Sequence, residues 1–171
     1  MRTHCLVMAG LLLGCAAIHG ANAKSDRSTG AAAAFSRLKA LAGEWEADSQ
    51  MGKVHVSYEV VAGGAALLER ESSEKMPVML TVYYVHGDRL LLTHYCMAGN
   101  QPRMQAKRFD AATGELEFQF LDATNLANPD AGHMRSAKIR FADDRHFSAE
   151  WQFYENGKPK FAENAQYTQI K

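Results

Sequence analysis

The chain has 171 residues, with 19 basic and 19 acidic side chains and a formal net charge of zero. That length suggests one domain with a core of its own. Balanced charge without a basic run argues against nucleic acid as the main partner. Beyond the N-terminus no stretch approaches ~20 apolar residues, so a membrane-spanning helix has no support.

At the start of the chain, Arg2 and His4 precede an apolar run from Cys5 to Ile18, and Ala21-Asn22-Ala23 supplies a small-x-small site. A basic start, a short apolar stretch and a small-residue site read as a secretory signal over residues 1–23. The expected destination is secretion or the periplasm. Leu12-Leu13-Gly14-Cys15 also resembles a bacterial lipobox, which gives the alternative of a lipoprotein anchored through Cys15. Cleavage after Ala23 removes Arg2 and leaves one more acidic than basic side chain, with Cys96 as the single cysteine. One cysteine forms no internal disulfide. Cys96 then reads as a small buried hydrophobe, or as a reactive or ligating thiol.

Residues 24–30 are small and polar and read as a linker; the domain proper runs over 31–171. From Ala31 to Ala42 the spacing of Phe35, Leu38 and Leu41 predicts a short helix with one apolar side, stopped by Gly43. After Gly43 the period falls to two. Val54, Val56, Tyr58 and Val60 alternate with His55, Ser57 and Glu59; Leu116, Phe118 and Phe120 with Glu115, Glu117 and Gln119. Phe147, Ala149, Trp151 and Phe153 do the same against polar neighbours. Each pattern is a strand with one dry and one wet face. Turn residues at Gly63-Gly64, Gly87-Asp88, Asp110 to Gly114, Asp143-Asp144 and Asn156-Gly157 punctuate them.

The count is about ten strands, near 44–50, 53–61, 65–73, 78–86, 89–98, 103–109, 115–121, 133–141, 146–154 and 160–169. Short links make a meander, and closure removes its exposed edges, so the expected fold is an all-β, ten-stranded antiparallel up-and-down barrel. At this strand number the interior can hold a small ligand. The longest loops, including 98–103 and 122–133, fall mainly at the end where odd-numbered strands finish. That mouth is the expected working end.

Gly43-Glu44-Trp45, placed after a helix and before the first strand, resembles the Gly-x-Trp signature of lipocalins and the wider calycin group. The ten-strand count looks more like the fatty-acid-binding and nitrobindin-like members. Residues from about Phe35 to Ile170 are similar to bacterial lipocalin-like domains, through stretches such as Leu92-Thr93-His94-Tyr95-Cys96 and Asp122-Ala123-Thr124-Asn125-Leu126. The resemblance implies a barrel floored by Trp45, with Gly43 and Trp45 in structural roles, and a ligand-binding role of unspecified ligand. It departs in two places. The last strand offers only Lys160 and Lys171 where lipocalins carry an arginine over the tryptophan, and no histidine follows His146 to hold haem as nitrobindin-like proteins do. No cofactor is expected.

Strand parity marks the candidate site. His94 and Cys96 share a face with Leu90 and Leu92, Asp122 continues the face of Phe118 and Phe120, and His133 shares parity with Ala137, Ile139 and Phe141. All four are expected to point inward at the long-loop mouth, with Arg103 and Asn125 at the same end. Such a set could bind an anionic or carbonyl group, hold a metal or do acid–base work, or serve as a hydrogen-bonded plug. No catalytic or metal residue is assigned. Met76, Met79, Met97 and Met104 read as core filler that would also suit a lipid-like guest. The leading reading is an exported protein binding a small apolar or amphipathic ligand. The alternatives are an enzyme or metal protein built on the His/Cys/Asp cluster, and an envelope interaction module with a filled barrel.

Overall fold

The computed structural model describes residues 20–49 and 52–171, with side chains from Gly30 onward. The signal sequence and Cys15 lie mostly or wholly outside the described residues. One helix, α1 (Gly20–Lys39), precedes ten strands. These are β1 (Gly43–Ser49), β2 (Gly52–Val61), β3 (Ala66–Ser73), β4 (Met76–His86), β5 (Arg89–Tyr95), β6 (Gln101–Asp110), β7 (Glu115–Thr124), β8 (His133–Phe141), β9 (His146–Glu155) and β10 (Lys158–Gln169). Each strand pairs antiparallel with its sequence neighbours, and β1 pairs with β10, so the sheet closes into a barrel. The expected fold class is therefore the observed one. The helix assignment runs back through the segment that composition reads as a linker, and it stops at Lys39, four residues before Gly43.

Hydrophobic alternation drives the strands. Val54, Val56 and Tyr58 are buried on β2; Leu116 and Phe118 on β7; Phe147, Ala149 and Trp151 on β9. Asn156 and Gly157 both have positive φ, 53° and 70°, the backbone a tight two-residue hairpin needs between β9 and β10.

The two ends differ. Ala31, Ala34, Phe35 and Leu38 recur at helical spacing and are buried, so α1 presents one apolar side to the barrel. Arg37 donates to the Asp143 carbonyl at 3.2 Å and lies over the Phe141 ring, which fixes the helix against the tight-turn end. In the turn after the helix, Leu41 accepts a hydrogen bond from Trp45 Nε1 at 2.7 Å. Trp45 packs edge-on against Phe147 at 4.9 Å, and Phe147 stacks on Tyr167 at 4.6 Å. The floor is thus closed by aromatic packing and a helix. Gly43 has φ of 134°, and a Cβ there would collide with the Lys171 carbonyl, which accepts from Glu44 N–H at 2.9 Å. The glycine of the Gly-x-Trp motif is needed where the chain's end meets its first strand.

Candidate functional site

The opposite end is open. A cavity of about 550 Å³ lies there, lined by Met76 and Met79 of β4, Cys96, Met97 and Ala98 of the loop after β5, Met134 of β8, Phe153 of β9 and residues 161–164 of β10. This is the long-loop mouth expected from the meander. Met97 and Phe161 are about half exposed and form its rim, with Phe161 stacked on Phe153 at 4.9 Å. Four methionines give a soft, reshapeable lining. Cys96 belongs to this wall. Burial raises its thiol pKa, so it stays protonated and behaves as a small hydrophobe.

The loops above the cavity are strapped together. Asn100, 4% exposed, donates from Nδ2 to the Gly132 carbonyl at 2.8 Å, and Asn125 donates to the Gly99 carbonyl at 2.5 Å. Asn156 N–H donates to Asp130 O at 2.8 Å. Asn125 also has φ of 53°. Its place in the structure is that of a loop clasp. A Cβ on Gly132 would strike the Phe153 ring at 2.6 Å, so the strap and the cavity wall touch.

Of the six candidate residues, the structure brings only part together. His94 is inward and 2% exposed, one step deeper along β5 than Cys96. Asp122 and Arg103 are not in the barrel. They pair in register on β7 and β6, their side chains are nearly half exposed, and Arg103 Nε donates to Asp122 Oδ1 at 2.6 Å with Nη2 on Oδ2. The cause is a bulge: Arg103 faces Asp122 but Met104 faces Phe120, so Leu121 is an extra residue that reverses the face of Asp122. The ion pair holds the Asp122 carboxyl below its usual range and raises Arg103 further. Exposed pairs contribute little, so Arg103→Ala and Asp122→Ala should each change stability by less than about 1 kcal/mol. Neither should alter ligand binding, as equilibrium denaturation and titration of the two variants would show.

His133 is corrected for the same reason. It stands opposite Tyr154, Met134 stands opposite Phe153, and the register then shifts at Arg135 before Ala137 meets Trp151. The extra residue puts Met134 on the cavity side. His133 is 2% exposed; it packs on Phe120 at 4.7 Å, and Nδ1–H donates to Ala131 O at 2.7 Å. The β7–β8 ladder ends at Gln119 and Ser136, so this ring fills the seam where the two strands part. A cluster built on His94 and His133 together is therefore not formed. Among the described residues no group of three His, Cys, Asp or Glu side chains is placed to hold a metal ion.

A different set of polar side chains occupies the interior beneath the cavity. Glu69 and Glu71 on β3 are 4% and 8% exposed. Tyr83 donates to Glu69 Oε2 at 2.6 Å and Thr81 donates to Glu69 Oε1 at 3.2 Å. His94 Nδ1 lies 3.0 Å from the Thr81 hydroxyl, and its ring packs on Trp151 at 5.1 Å. With the Thr81 proton on Glu69, the His94 Nδ1–H donates to Thr81, which leaves Nε2 as an acceptor. Burial lowers the His94 pKa to about 4, so the ring is neutral. Burial raises Glu69, and burial with repulsion from Glu69 and Glu163 raises Glu71 to about 8. Tyr58, Tyr83 and Tyr167 are all pushed up by burial and nearby carboxylates, so they remain protonated. The alternation Leu67, Glu69, Glu71 carries the signal for two of these acids. The adjacent Leu68 supports the opposite face equally well, which hides it.

No family model and no curated protein matches the chain. The closed ten-strand barrel is consistent with a calycin-like fold. No helix among the described residues is long and apolar enough to cross a membrane.

Proposed function

We propose that this is an exported, lipocalin-like binding protein that takes a small apolar or amphipathic molecule into the open end of its barrel. The observation that carries this reading is the Met-lined cavity of about 550 Å³ set over a closed floor. Small-ligand sites are concave, mostly apolar and typically ~300–1,000 Å³, with a few convergent polar groups. The lining supplies the apolar part, and Glu163 with the acids beneath supplies the polar part.

Native mass spectrometry of protein purified from its own cells tests the proposal. A co-purifying small mass is expected on the wild type and absent from Met134→Trp, in which the indole fills the cavity. A wild type that is always empty would sink the binding reading. The mass of the polypeptide in the same spectra reports export: a chain starting at Lys24 supports signal cleavage, and an acylated Cys15 supports the anchored form.

A further inference from the structure

Three carboxylates face the interior around the base of the cavity: Glu69, Glu71 and Glu163. Glu163 lines the cavity itself, and Glu71 stands in register with Met79, another lining residue. Repulsion from Glu69 and Glu163 acts on Glu71, which places the three near one another. Among the described residues none of them has an ion-pair partner. The interior also holds unsatisfied hydrogen-bond acceptors. His94 is 2% exposed and its Nε2 has no partner; Glu163 Oε1 is likewise enclosed and unpartnered. Nδ1 of His94 is taken up by Thr81 on β4, and the ring packs on Trp151 of β9. An enclosed acceptor without a donor is unfavourable, and a donor carried by a ligand would relieve it.

We propose that the cavity selects amphiphiles with a cationic, hydrogen-bond-donating head, of the alkylammonium class, the head turned inward to Glu163, Glu71 and His94 and the tail held by the methionines. This rests on the cavity being a ligand site and adds the chemistry of the head group. An anionic head would repel these acids wherever they ionise, and among the described residues no basic side chain lines the cavity to meet it. An ammonium supplies both the missing charge and the missing donors.

The proposal carries a pH dependence of definite sign. The titratable groups that act on Glu71 are Glu69 on its own strand, Tyr83 on β4, Cys96 after β5, and Glu163 and Tyr167 on β10; Tyr58 on β2 stands beside Glu69, and His94 on β5 reaches Glu69 through Thr81. The tyrosines and the thiol stay protonated and His94 stays neutral near neutral pH. Only the carboxylates change charge. A bound cation favours their ionised forms, so binding releases a proton from Glu71 and strengthens as pH rises towards about 8.

The test is calorimetric titration at pH 8 with dodecylammonium, dodecanol and dodecanoate, which share one tail and differ in head. Dodecylammonium is expected to bind at least about tenfold tighter than dodecanol, with dodecanoate weakest. Glu163→Gln should weaken dodecylammonium about tenfold more than it weakens dodecanol, and a wild-type circular dichroism spectrum reports that the variant is folded. If dodecanol or dodecanoate binds as tightly as the ammonium, the head-group assignment falls while the cavity remains a ligand site. If none of the three binds, the binding reading falls and takes the assignment with it.

Discussion

Raising the pH from about 6.5 to above 8 should destabilise the ligand-free protein by about 2 kcal/mol through Glu71 alone. Glu71 has a folded pKa of about 8 against a model value of 4.5. Between those values the folded state binds the proton more tightly than the unfolded state does. Stability contributed by the protonated carboxyl is complete below the unfolded value and declines as pH rises to the folded one. The slope is about 1.4 kcal/mol per pH unit, and it flattens above about pH 8. Glu69 and Glu163 are raised too and add a slope of the same sign. His94 works at the other end. Its pKa falls from 6.5 to about 4, so the unfolded chain takes up a proton first and stability drops as pH falls through that interval. Between about pH 4.5 and 6.5 the His94 slope cancels that of Glu71, and Glu69 and Glu163 leave a net fall in stability as pH rises. Glu71→Gln keeps the volume and removes the charge. Denaturant titrations across this range should show a shallower alkaline slope for the variant and greater stability than wild type above pH 8. An unchanged slope would mean that Glu71 does not carry a proton in the folded protein.

That acid was hard to find in the sequence, and the reason is physical. Strand existence was legible because β2, β7 and β9 alternate strictly between dry and wet residues and because Gly and Asn mark the turns. The working end was legible because a meander sorts its loops by strand parity. Side-chain direction was not legible near that end. Bulges at Leu121 and Arg135 each insert one residue, and one residue reverses every side chain beyond it. Asp122 was turned to the surface and His133 was kept off the cavity wall in this way, while β5, which keeps its parity, delivered His94 as expected. Glu69 and Glu71 escaped because the Leu67-Leu68 doublet supports both faces of β3. Glu163 shares the parity of Ala165 and Tyr167 on β10, but the exposed residues before it hide where that face begins. The floor, in contrast, was announced by Gly43 and Trp45, whose contacts are local in sequence on one side and span the closure of the barrel on the other.

Trp45→Ala should be among the most damaging single substitutions, costing about 3–5 kcal/mol. The indole is 1% exposed and rests edge-on against Phe147, which in turn stacks on Tyr167 and meets Tyr58. Truncation leaves a hole in a ring of aromatic side chains that come from β1, β2, β9 and β10, and such rings relax only partly. It also removes the Nε1–H bond to Leu41, the polar tie between the barrel and the turn that follows the helix. Trp45→Phe keeps much of the packing and loses that bond, so its cost should be nearer 1–2 kcal/mol. Val78→Ala, at a half-exposed site on β4, provides the reference and should fall within about 0.5 kcal/mol of wild type. Denaturation midpoints of all three at one pH, about 6, where the slopes of Glu71 and His94 cancel, separate them. The circular dichroism of Trp45→Ala locates the damage. Because the helix reaches the barrel through Leu38, Phe35 and the Leu41 turn, the helical signal should melt before the strand signal in this variant and together with it in wild type. A Trp45→Ala protein that melts in one step with a cost no larger than that of Val78→Ala would show that the helix holds the floor without the tryptophan.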